Sequence, residues 1–173
     1  MPDIAVKASA IQGLGIVTLR PFQRGDRITR VNVVREITPA SPIREDLGER
    51  VDHCAYPDGK TVLIAFPERH VNHSCDPNAY EYFEVGSSYL VARRSIAPGE
   101  EITIDYNINI SNGTAWTCHC GAARCRGEVV GDCFRLPVEW QREYRPMVAD
   151  WFILRNSTRF AALDHFIDPR GGT

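Results

Sequence analysis

The sequence predicts a mainly β fold closed by an α-helical C-terminal tail, and three observations predict it. Short β-branched runs cut by Gly and Pro fill roughly the first 110 residues. A cysteine-rich stretch too polar to hold a core of its own follows at 116–127. Beyond Pro137 the apolar spacing changes to the three- and four-residue intervals of a helix.

Taken in order, the runs 16–19, 28–34, 61–65, 79–85, 89–92 and 102–104 read as strands. Gly86-Ser87-Ser88 suits a short hairpin between two of them, and Pro98-Gly99 marks a turn before another. In the tail, Trp140, Tyr144, Met147, Val148, Trp151 and Phe152 share a helical face, with Pro137 at the first helical position and Pro146 breaking the helix. A second helix follows Ser157 as N-cap, with Phe160, Leu163 and Phe166 on one side. Aromatic stripes at this spacing are core packing.

The chain has 173 residues, 43% hydrophobic and 24% charged, a composition suited to one globular body. Its formal net charge is −2, and Lys and Arg form no block, so direct nucleic-acid binding is not expected. No apolar run reaches membrane-spanning length, and the N-terminus lacks the layout of a signal peptide, so no membrane partner is expected and the location is intracellular, cytoplasm or nucleus. Three of six cysteines, Cys118, Cys120 and Cys125, crowd into eight residues. That spacing points to a metal rather than to disulfides.

Four segments carry chemistry: Gly13-Leu14-Gly15; the string from Arg69 to Asn78 containing Asn72-His73-Ser74-Cys75; Gly99-Glu100-Glu101-Ile102-Thr103-Ile104-Asp105-Tyr106; and Cys118-His119-Cys120-Gly121 through Cys125-Arg126-Gly127. In content and order they resemble the SET-domain lysine methyltransferases over residues 11–127. The resemblance implies a SET-type β-clip of small curved sheets in which the Asn72 and Tyr106 segments cross in a pseudoknot. It implies S-adenosylmethionine as cofactor, held by Gly13, Leu14, Gly15, Asn72, His73 and Tyr106, with Tyr106 as the catalytic residue. It also implies a structural Zn2+ held by Cys118, Cys120 and Cys125, with Cys75 as fourth ligand. His119, between two ligands, would be strained as a co-ligand, and Cys133 is the alternative to Cys75. The implied parts are a SET domain at 1–110, a post-SET zinc loop at 111–130, and a helical extension at 131–173 packed on the same domain.

The chemistry explains the choice of Tyr106. A lysine amine, ordinarily protonated near neutrality, must be presented as the free base to a sulfonium methyl. An apolar channel and the sulfonium charge disfavour the ammonium, and a tyrosine oxygen with backbone carbonyls orients the lone pair. Proton loss to water then suffices. The acceptor implied is a lysine of a protein or peptide. A small amine as acceptor, or an inactive SET-like zinc-containing interaction module, are the other readings.

Two positions depart from the family pattern. The string from Thr29 to Glu36 lacks the tyrosine found there in SET enzymes, and Ile104 stands two before Tyr106, where an aromatic residue bears on methylation state. Tyr56, Tyr80 and Tyr82 are candidates to replace the missing wall. Asn78 belongs to a turn, Glu100-Glu101 read as a solvated turn, and Glu81 with Glu84 as a charged strand face.

Overall fold

A computed structural model describes residues 2–165. It opens with the hairpin of β1 (Ile4–Ala8) and β2 (Leu14–Thr18), then β3 (Arg27–Val31) and β4 (Val33–Glu36). The segment to residue 70 holds only β5 (Cys54–Ala55), β6 (Val62–Ile64) and four single 3-10 turns. β7 (Asn72–His73), β8 (Ala79–Glu84), β9 (Ser87–Ala92) and β10 (Glu101–Ile104) follow, and a last hairpin joins β11 (Ser111–Thr117) to β12 (Glu128–Asp132).

Four small sheets result, in the orders β1-β2-β10-β7, β3-β9-β8, β4-β6-β5 and β11-β12. Apolar alternation explains how they close on one core: Ile16 and Ile102 face each other across β2 and β10 with no exposed surface. Phe22, Ile28, Val31, Leu90, Ala92 and Ile96 pack around them. Each such side chain contributes about 1.5–3 kcal/mol on leaving water. β7 runs parallel to β10, pairing Asn72 with Thr103 and His73 with Ile104, so two motifs thirty residues apart in sequence are knitted side by side. Val85-Gly86 makes the tight turn between β8 and β9, with Gly86 at φ 75°.

The tail is helical as expected: α1 (Val138–Tyr144), α2 (Asp150–Arg155) and α3 (Ser157–His165). Pro146, which has no N–H to give, falls in the 3-10 turn between α1 and α2. Pro137 is the cap residue rather than the first helical one, and Ser157 begins the helix rather than capping it. Phe134, Phe152 and Phe160 pack ring on ring, and Trp151 meets Phe83 of β8 at a centroid distance of 6.0 Å. Phe166 lies outside the described residues. No described helix is long and apolar enough to cross a membrane.

Candidate active site

The loop after β1 is a tight return. Ser9 N–H donates to Gly13 O at 3.0 Å, and Gly13 sits at φ 51°, a backbone conformation glycine adopts without a Cβ penalty. Gly15 has a different task. A Cβ there would lie 2.3 Å from Oε1 of Glu101, so its bare α-carbon lets that carboxylate approach β2. Glu101 accepts the Ser9 hydroxyl at 2.8 Å and Nδ2 of Asn72 at 2.8 Å. The same Asn72 nitrogen lies 3.0 Å from Leu14 O and 3.2 Å from Gln12 O. One carboxylate therefore ties the glycine turn to the Asn72 strand, and Asn72 Oδ1 takes no protein donor among the described residues.

Glu100 and Glu101 are consequently not the solvated turn read from sequence. Glu100 also accepts Asn78 Nδ2 at 3.0 Å and pairs with Arg94 at 2.6 Å. Asn78, 2% exposed, binds β10 through Glu101 O and Thr103 N–H, which fixes β7, β8 and β10 relative to one another.

Tyr106 follows β10 directly. Its hydroxyl donates to Val71 O at 2.5 Å, so the phenol proton is already engaged and the oxygen lone pairs are what a ligand meets. Burial, with the charges of Asp52 and Glu101, pushes the phenol well above its usual pKa, which keeps it neutral. Its ring lies 6.3 Å from Trp116 and 5.3 Å from His73. His73 is turned inward: Nδ1 accepts the Tyr106 N–H at 3.1 Å, and Nε2 lies 3.4 Å from Cys75 Sγ. Burial lowers its pKa to about 4, and an Nδ1 that accepts a hydrogen bond belongs to a neutral ring. The nearby Asp105 oxygen, at 3.6 Å, is thus not its ion-pair partner. The His73 side chain joins Tyr106 to the cysteines; its residue lines a small pocket with Ile11, Asn72 and Trp116 instead of the main cleft.

The thiols of Cys75, Cys118, Cys120 and Cys125 lie within 4.8 Å of one another. Cys75 and Cys118 are 3.7 Å apart, close to the roughly 3.8 Å edge of a tetrahedron with 2.3 Å zinc–sulfur bonds. Burial raises the Cys75 thiol and brings Cys118 up to about 11. Burial also acts upward on Cys120, but backbone N–H donors of Cys75 and Ala122 outweigh it and leave that thiol at about 7. Four soft donors of one kind, two of them buried, fit Zn2+. Cys133 stands apart in the helical core, its thiol pushed up to about 12 by burial, and His119 is not among the grouped donors.

Arg126, unremarked in sequence, closes this corner. It makes two 2.8 Å bonds to Asp105, which is fully buried beside Tyr106, and its ring-facing guanidinium sits 4.9 Å from the Trp140 centroid. Arg126 N–H lies 3.4 Å from Cys75 Sγ. The cysteine loop is thereby clamped to the strand that carries Tyr106.

Gly13, Leu14, Asn72 and Tyr106 share one wall of a cleft of about 1400 Å³, and Gly15 stands behind that wall. Ile104, Val31, Phe83, Trp116 and Trp151 supply apolar surface. Of the three candidate tyrosines, Tyr56 and Tyr80 line the cleft. Tyr82 instead faces Tyr89 across β8 and β9, next to the Arg27–Glu84 pair.

With this geometry stands a match of residues 13–107 to the SET domain family. The chain belongs to the SET domain family. It is 28% identical over 149 residues to the Drosophila melanogaster histone-lysine N-methyltransferase ash1, covering 78% of this chain and 7% of that protein. It is 30% identical over 135 residues to an H3 lysine-4 specific histone-lysine N-methyltransferase of Cryptococcus neoformans, covering 69% and 9%. An H3 lysine-36 specific enzyme of Candida albicans is 41% identical over 61 residues, 33% of this chain and 7% of that one. The chain thus spans under a tenth of the length of these relatives.

Proposed function

We propose that this chain is an S-adenosylmethionine-dependent N-methyltransferase acting on lysine side chains of proteins, histones foremost. The observation that carries the reading is the joining of three separated motifs on one cleft wall: Gly13 and Leu14, Asn72, and Tyr106, held by Glu101 and by the β7–β10 pairing. The lysine methylation carried out by its histone-lysine N-methyltransferase relatives is in keeping with it.

When bound, S-adenosylmethionine supplies an electrophilic methyl on a sulfonium. The residues fit it: the free Oδ1 of Asn72 suits the amino group, and the open turn at Gly13 leaves room for a chain to lie against the backbone. Tyr106, its proton committed to Val71 O, offers lone pairs that orient an amine and its N–H bonds. Trp116, Ile104 and Phe83 exclude water from the path of an uncharged amine. Cys75, Cys118, Cys120 and Cys125 would hold Zn2+, whose role is to order the loop at 118–127 against Tyr106. Of the described residues, 2–110, 111–130 and 131–165 would then serve as catalytic body, zinc loop and helical support.

The test is incubation of the zinc-loaded chain with labelled cofactor and recombinant histones, with free amines in parallel. Label on histone lysine that Tyr106→Phe reduces supports the reading. Label on free amines alone overturns the protein acceptor, and cofactor binding with no transfer at all overturns the enzyme.

A further inference from the structure

The cleft contains a carboxylate, Glu81, with no cation paired to it among the described residues. Strand alternation sets Ala79, Glu81 and Phe83 of β8 on one face, and Glu81 and Phe83 line the cleft together with Val31 and Leu90 of the same sheet, as does Tyr80 near the start of the strand. Glu84 faces the other way and is paired with Arg27. Glu81 accepts one hydrogen bond, from Ser88 Oγ at 2.7 Å, and no cation pairs with it among the described residues. Burial raises its carboxyl above the ordinary carboxylate value.

A second carboxylate stands behind it. Glu68 is 6% exposed and also lines the cleft; its Oε1 accepts Thr29 Oγ1 at 3.1 Å, while its Oε2 has no partner. Thr29 lies opposite Leu90, and Leu90 opposite Glu81, so Glu81 stands about 10 Å, two strand spacings, from the Thr29 that Glu68 bonds. Nδ1 of His53 and Nε1 of Trp151, on the walls of the same cleft, also lack partners. Of the other charged and titratable groups that line it, Arg50 is held by Asp52, Arg69 lies against His70 and Phe66, Glu49 is held by Arg35 and Arg44, Asp105 by Arg126, and the Tyr106 proton by Val71, while Glu45, Cys54, Tyr56 and Tyr80 complete the lining. Glu81 and Glu68 thus have no cation paired with them, although Arg50 and Arg69 line the same cleft, and a carboxylate in such a place favours a cationic partner. The missing member is a cation of the ligand.

We propose that Glu81 receives the ammonium of the acceptor and takes its proton before methyl transfer, in place of the direct loss to water expected from sequence, a role that rests on the lysine-methylation reading above. The step balances: one N–H proton of R–NH3+ moves to the Glu81 carboxylate, and the free amine lone pair forms the N–CH3 bond. The sulfonium S–CH3 bond breaks with its electron pair kept on sulfur. The product leaves as R–NH2CH3+, and the proton on Glu81 passes to water through the open mouth of the cleft.

Glu81→Gln preserves shape and the Ser88 bond, so the full chain is expected to fold with an unchanged melting temperature and unchanged S-adenosylmethionine binding by calorimetry. Methyl transfer to recombinant histone H3 at pH 7 should fall by about 10²–10⁴-fold, the usual share of a general base. The deficit should shrink toward pH 10, where the acceptor sheds its proton unaided. Glu81→Asp should recover part of the rate. A Gln variant whose pH–rate profile runs parallel to wild type, whether equal or uniformly lower, overturns this role and leaves the lysine reading standing. A wild-type chain that binds the cofactor but methylates neither histone H3 nor free lysine overturns that reading and this role with it.

Discussion

Arg126→Met removes one partner of the most enclosed arginine–carboxylate pair among the described residues. Asp105 has no exposed side-chain surface and Arg126 has 14%, so the pair is little screened by solvent. The methionine fills much of the volume against Trp140 but leaves Asp105 with only Asn107 as donor, through Nδ2 at 2.7 Å and N–H at 3.0 Å. Breaking a buried pair on one side costs about 3–5 kcal/mol. At roughly 2–4 °C per kcal/mol for a chain of this size, the melting temperature should fall by about 6–20 °C. Urea unfolding of the zinc-loaded protein reads the same loss, and Arg126→Lys should restore little of it, since an ammonium cannot match the two-point contact. The double variant Asp105→Asn with Arg126→Met should be more stable than Arg126→Met alone, because the stranded charge is gone. A single variant within about 1 kcal/mol of wild type, or strictly additive losses, would refute the argument.

Other outcomes follow from the same contacts. Gly15→Ala must displace the Glu101 carboxylate from Ser9 and Asn72, and should cost about 1–3 kcal/mol in thermal unfolding together with weakened cofactor binding. Cys75→Ser should release the bound zinc in metal analysis and raise hydrogen exchange across 118–127, whereas Cys133→Ser should keep the metal. Glu49, bonded by Arg44 and Arg35, has its carboxyl lowered to about 2. A lowered folded-state pKa means its contribution is complete above the unfolded value near 4.5 and vanishes as pH falls toward 2. Glu49→Gln should therefore be less stable than wild type at pH 6, with the two unfolding midpoints converging between pH 4.5 and 2.

The β body and the helical tail were legible because their signals are local. Alternation exposed β2, β6, β8, β9 and β10, and the placement of Pro146 marked the helix break. The run 28–34 looked like one strand because β-branched residues recur through it without a Gly or Pro; the chain breaks at Asn32 and gives its halves to two different sheets. β7 is only two residues long and its pairing comes from β10, and β11 is exposed along its length, so neither carries a periodic signature. In the site, the glycine turn, Asn72, Tyr106 and the four cysteines were readable from motif order. Glu101 and Arg126 were not, although both sit inside motif strings, because nothing local says that a charge in a turn will be buried by a segment 92 or 21 residues away. The inward turn of His73 was hidden for the same reason. Parity along β8 could have separated Glu81 from Glu84, since residues three apart on a strand face opposite ways.

The central claim is that the Glu101-tied wall of Gly13, Leu14 and Asn72 is a cofactor site. Calorimetric titration of the zinc-loaded chain with S-adenosylmethionine tests it most directly. Saturable binding is predicted, weakened about 10–100-fold by Asn72→Ala, the loss of hydrogen bonds to charged groups worth roughly 1.5–3 kcal/mol, and left nearly unchanged by Glu81→Gln. Absence of binding to the wild-type chain, or equal affinity in Asn72→Ala, would contradict it.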